Sequence, residues 1–115
     1  MAFNRGELDT AAFQAMKAVE VAVRAAARLP DDLVGVKLMR AAFRPDDGPL
    51  VDGEMEAGEK QARMDLFAGA VGSFKNPHSH RDVELKDPSE AIEIVMLANH
   101  LLRIIDHRKA SAKKG

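Results

Sequence analysis

Ten residues of this chain, SFKNPHSHRD at positions 73–82, carry a lysine, an asparagine, two histidines, an arginine and an aspartate around one proline. Each type has a chemical use. Imidazole titrates near neutral pH and is the side chain best suited to moving a proton. A lysine ammonium supplies a fixed positive charge for a phosphate. An asparagine amide both donates and accepts, so it can orient either neighbour. Lys75, Asn76 and His80 are therefore a minimal set for transphosphorylation of RNA. In that reaction the histidine takes the proton of a ribose 2′-OH and the oxygen attacks the adjacent phosphorus. The cation stabilises the dianionic transition state.

Two other readings of the same stretch stand beside this one. His78, His80 and Asp82 form H-x-H-x-D, a spacing that suits three ligands on one side of an extended segment. Such residues in a polar loop are more often solvated than metal-bound, and the transphosphorylation route requires no metal. Neither a metal nor a cofactor is expected. In the plain structural reading, Asn76 and Ser79 satisfy backbone groups at a helix end, and His78 and His80 are solvated loop residues.

The elements that must position these residues are helical. Leu8, Ala12, Met16, Val19, Val23 and Ala26 recur at helical spacing and predict a first helix over about 7–29, stopped by Pro30. Glu20 lies at the border of that apolar stripe. It either pairs with Arg24 one turn on, or is a half-buried carboxylate that orients a cation from another helix. A second helix is predicted over about 31–43, capped by Asp31 or Asp32, with Leu33, Val36, Met39 and Phe43 marking its face. RPDDGPLVDG, 44–53, reads as a loop.

A third helix is predicted over about 54–75, with Ala62, Leu66, Ala70 and Phe74 as its stripe and Phe67 and Val71 widening it. Gly69 and Gly72 each cost about 1 kcal/mol relative to alanine in a helix interior. Placed on one side, they predict close approach of a neighbouring helix or a second subunit. Asp87-Pro88-Ser89-Glu90 then opens a fourth helix over about 88–109, with Ala91, Ile94, Val95, Ala98, Leu101, Leu102 and Ile105 as its apolar face.

The 115 residues therefore predict one all-α domain, 1–115, a bundle of four or five helices whose residues 110–115 form a frayed basic tail. The net charge of −1 excludes a globally basic nucleic-acid binder but not a local positive cleft. With no tryptophan or tyrosine and five phenylalanines, a base-stacking platform is not expected. No apolar run approaches the ~20 residues of a membrane span, and the N-terminus lacks a signal-peptide apolar region. The absence of cysteine fits a reducing cytoplasm, the expected location.

KNPHSH, 75–80, resembles the R-x4–6-H signature of HEPN domains (higher eukaryotes and prokaryotes nucleotide-binding). Four stretches together resemble the bacterial and phage Ymh family more closely still. They are AFQAMKAVEVAVR (12–24), GVKLMRAAF (35–43), LFAGAVGSFKNPHSH (66–80) and EAIEIVMLANHLLRIID (90–106). The HEPN resemblance implies a dimeric helical bundle of four or five helices. It also implies metal-independent RNA cleavage to a 2′,3′-cyclic phosphate in a cleft between two signatures. It places such proteins in antiviral or toxin–antitoxin settings, with RNA and a cognate antitoxin or other protein as partners. Carried over, His80 is the catalytic histidine, Asn76 the polar residue and Lys75 the counterpart of an arginine; Glu20 is a supporting polar residue facing the site. His78 takes no assigned role and is the second, supporting imidazole. Lysine keeps the charge of arginine but loses its bidentate fork. Some HEPN domains are catalytically silent, so a helical dimerisation or partner-binding module is the alternative.

Overall fold

The computed structural model describes the backbone of residues 5–75 and 88–114 and the side chains of 10–75 and 88–109. Four helices occupy it: α1 (Arg5–Ala27), α2 (Gly35–Ala42), α3 (Ala57–Phe74) and α4 (Pro88–Lys114). No strand occurs among the described residues.

Helix α1 buries four residues of the predicted stripe, Ala12, Met16, Val19 and Val23, completely; Ala26 is half-buried, and the Leu8 side chain lies outside the described residues. It ends two residues early, and the reason is local. Arg28 adopts the left-handed region, φ 56°. Its N–H donates to the Ala25 carbonyl (3.3 Å), and the Leu29 N–H donates to the Arg24 carbonyl (3.1 Å). This is the Schellman ending, usually built on glycine because an L-residue there costs about 1–2 kcal/mol. Arg28 is exposed, so Arg28→Gly is expected to stabilise the protein by about 0.5–1 kcal/mol after the glycine's own entropy cost. A melting temperature equal to or below that of the parent would refute this.

Helix α2 starts at Gly35, not at 31, and neither Asp31 nor Asp32 caps it. Both aspartates are spent in a separate turn, in which the Leu33 N–H donates to the Pro30 carbonyl (3.1 Å). The residue before α2, Val34, is extended (φ −135°, ψ 162°) and offers no side-chain cap. Leu38, Met39, Ala42 and Phe43 form its buried face; Leu33 and Val36 are half-buried at the edge. The following loop returns to α2 through the Leu50 N–H, which donates to the Ala42 carbonyl (2.9 Å).

Helix α3 starts at Ala57 rather than 54 because Asp52 holds the preceding residues in a turn, its Oδ1 accepting the Glu54 N–H at 3.0 Å. Its inward face also differs from the expected one. Met64, Phe67, Ala68, Ala70 and Val71 are buried, whereas Ala62 is exposed and Leu66 is 41% exposed. Phe67 decides the rotation. It stacks on Phe43 of the α2 end with centroids 4.1 Å apart. Of Gly69 and Gly72, only Gly72 meets a neighbouring helix. A Cβ at Gly69 would meet nothing within 4 Å, while one at Gly72 would come 2.9 Å from Val36 Cγ2. Gly72 lets α2 approach α3 within one protomer.

Helix α4 begins at Pro88 as predicted but runs to Lys114, past the expected end near 109 and into the stretch expected as a frayed tail; the expected cap, Asp87, lies outside the described residues. Ala91, Ile94, Ala98, Leu101 and Ile105 are buried. It packs chiefly along α1, while α2 packs chiefly along α3. Arg108 ties it to the α2–α3 loop, donating from Nε to the Leu50 carbonyl (3.1 Å) and from Nη2 to the Val51 carbonyl (2.9 Å). The result is a helical bundle whose core gathers residues from all four helices.

Candidate functional site

Among the described residues Glu20 is the one polar residue in the buried set, 5% exposed in the third turn from the end of α1. A carboxylate removed from water this far must be met by charge and hydrogen bonds. Three elements meet it. The Gly35 N–H, first in α2, donates to Oε2 at 2.7 Å. The Lys75 ammonium, at the C-cap of α3, lies 3.5 Å from the same oxygen. Arg24 Nη2 lies 3.7 Å from Oε1. No buried side-chain nitrogen or oxygen among the described residues lacks a hydrogen-bond partner.

Each partner is placed by a local cause. Arg24 is one helical turn beyond Glu20, and its guanidinium is fixed by donating to the Leu33 carbonyl from Nε (3.3 Å) and Nη2 (3.1 Å). Lys75 closes α3, its N–H donating to the Val71 carbonyl at 3.0 Å. Gly35 has φ 61°, a conformation open to glycine at no steric cost. Its N–H belongs to the first turn of α2, where orphan donors and the helix dipole favour an anion. Glu20 thus caps α2 from another helix and supplies the acceptor that Val34 cannot. Both descriptions of Glu20 drawn from the sequence hold in the geometry: it pairs with Arg24 and it meets a cation from another helix.

The structure brings Lys75 and Glu20 together. Asn76, His78, His80 and Asp82 lie outside the described residues. Gly35 and the Leu33 carbonyl are the participants that sequence reasoning missed. The signal for Gly35 was a lone glycine in the apolar run LVGV, read there as helix interior. Two open concavities share no residue with the cluster. Met55, Glu59, Ala62, Arg63 and Leu66 line one; Gln14, Lys17, Ala18, Val21, Ala22 and Ala25 line the other. Among the described residues no group of three histidines or carboxylates is arranged to hold a metal ion. Among the same residues no helix is long and apolar enough to cross a membrane.

The described chain is thus an all-helical bundle with a buried carboxylate–cation cluster where α1, the start of α2 and the end of α3 meet. The model of the Ymh family, described as a protein of unknown function, matches residues 1–105, and the chain belongs to that family. Neither the curated proteins nor the solved structures provide a significant match.

Proposed function

We propose that this Ymh protein is a HEPN-like, metal-independent endoribonuclease acting as a homodimer in the cytoplasm, in an antiviral or toxin–antitoxin setting. One observation carries the reading. A cation, Lys75, is anchored 3.5 Å from a nearly buried carboxylate at the residue directly before Asn76-Pro77-His78-Ser79-His80. A charge held in place costs no reorganisation when negative charge develops beside it. In the proposed reaction the His80 imidazole removes the 2′-OH proton and O2′ bonds to phosphorus. The P–O5′ bond then breaks, and the partner's His80, protonated, gives a proton to the leaving oxygen. The products are a 2′,3′-cyclic phosphate and a 5′-hydroxyl. Lys75 faces the phosphoryl oxygens, and Asn76 orients the base or the phosphate.

The homodimer has outward apolar surface available to it. Leu66 and Gly69 lie on the open face of α3, and Ile92 and Met96 of α4 are 53% and 63% exposed. Because Gly72 packs against Val36 within the protomer, Gly69 is the residue to test. A dimer by light scattering at tens of micromolar protein is expected, with Gly69→Arg weakening it. Monomer alone in the parent protein would remove the two-copy site.

The decisive assay is purified protein with mixed RNA, with and without EDTA. Cleavage to cyclic-phosphate ends, indifferent to EDTA, is expected. Loss of cleavage in EDTA would overturn the metal-free route. A second reading is a catalytically silent dimerisation or partner-binding module, with a cognate antitoxin as one such partner. The specific observation in its favour is that a lysine, already paired with Glu20, stands where the signature has a forked arginine. Absence of cleavage in both the parent and Lys75→Arg would select it.

A further inference from the structure

We infer that Gly35 is a positioning residue for Lys75, acting through Glu20. Its consequence for catalysis rests on the nuclease reading; its geometry does not. Both the Gly35 N–H and the Lys75 ammonium address one atom, Glu20 Oε2, at 2.7 and 3.5 Å. The shorter contact is a charge-assisted hydrogen bond from a buried backbone donor, and of the two it is the stronger and more directional. It sets where Oε2 lies. The second oxygen then falls toward Arg24, 3.7 Å away, whose own position the Leu33 carbonyl fixes. A glutamate carboxylate otherwise turns freely about its last torsion. With Oε2 held by α2 and Oε1 facing Arg24, that freedom is lost, and Lys75 meets an acceptor at one fixed place.

The backbone of Gly35 makes this possible. At φ 61°, directly after an extended Val34, it turns the first N–H of α2 toward α1. Helix α2 also leans on the end of α3 through Val36, which occupies the space that Gly72 leaves. A shift of α2 therefore reaches Lys75 by two routes, the carboxylate and the Val36–Gly72 contact. The start of α2 belongs to the site through its backbone.

The test removes the Gly35 hydrogen-bond donor without adding a side chain; the ester also weakens the Val34 carbonyl that accepts the Leu38 N–H, which the helical spectrum monitors. Total synthesis with glycolic acid at position 35 converts the Gly35 amide to an ester, without a new side chain. Gly35→Ala is the encoded companion, strained by its φ; the ester carries the test if that variant does not fold. The readout is the ¹⁵N–¹H signal of the Lys75 ammonium, assigned by its disappearance in Lys75→Arg. Glu20→Gln marks the position of an ammonium without its carboxylate. In the ester the signal is expected to move at least about half of the way to that position, with the helical circular dichroism unchanged. A Lys75 signal unmoved in the ester overturns the inference, and so does one unmoved in Glu20→Gln. No RNA is involved. An inactive protein whose Lys75 signal shifts sinks the nuclease reading alone, and an active one whose signal stays sinks this inference alone.

Discussion

His80→Ala is expected to lower RNA cleavage by about 10²–10⁴-fold, the usual cost of removing a proton-transfer partner. Circular dichroism and melting temperature should stay those of the parent, because the proposed role is chemical. Two-fold symmetry makes the expected loss large. The same substitution removes the base on one protomer and the acid on the other, whichever copy takes which part. Mixed dimers carrying one alanine should for the same reason retain little activity. Lys75 obeys a different rule. Lys75→Arg keeps the charge and adds the fork that grips two phosphoryl oxygens, so it should hold or raise the rate. Lys75→Ala should lower it. His78→Ala, which removes the imidazole without an assigned role, is the control. Cleavage that survives His80→Ala but not His78→Ala would reassign the base.

How far the sequence reveals this fold depends on how local each determinant is. Helix α4 is legible because its cues are its own: a proline at the first position, then Ala91, Ile94, Ala98, Leu101 and Ile105 at helical spacing. The inward stripe of α1 is legible for the same reason. The start of α2 is not. Asp31 and Asp32 look like caps, yet the acceptor that serves the first N–H of α2 is Glu20, fifteen residues upstream. A cap delivered from another helix leaves no local pattern. Helix α3 is legible in part: Phe67, Ala70 and Val71 are buried as expected, Ala62 and Leu66 are not. Apolar residues lie around most of it, so spacing alone cannot choose a face. The choice comes from the Phe43–Phe67 stack, which exists only after the helices have packed. The candidate site divides along the same line. A glutamate bordering an apolar stripe is a visible anomaly, and it leads to Lys75. Gly35 contributes a backbone N–H, and the lone glycine that marks its place does not say which acceptor that N–H meets. For Asn76, His78 and His80 the case is made from residue type and spacing.

Glu20→Ala is expected to be the most destabilising substitution in the cluster, at about 2–4 kcal/mol, because it takes the acceptor from the buried Gly35 N–H and the counter-charge from Lys75 and Arg24. With marginal stability of about 5–15 kcal/mol for a domain, that is a large share, and a fall in melting temperature on the order of 10 °C follows. The partners do not contribute equally. The 2.7 Å bond from a buried amide outweighs ion pairs at 3.5 and 3.7 Å whose cations keep 19% and 17% of their side-chain surface. Lys75→Met should therefore cost less than Glu20→Ala, about 1–2 kcal/mol, because the Gly35 N–H and Arg24 still meet the buried carboxylate. Glu20→Gln keeps an acceptor for the Gly35 N–H, loses the charge and turns its NH2 toward the Arg24 guanidinium, and should fall between them. The order Glu20→Ala, Glu20→Gln, Lys75→Met in chemical denaturation is the expected result. Cleavage should rank differently, with Lys75→Met severe despite its mild cost in stability. A Glu20→Ala protein within about 0.5 kcal/mol of the parent would mean that water already serves these donors, and the cluster could not then hold Lys75 in place.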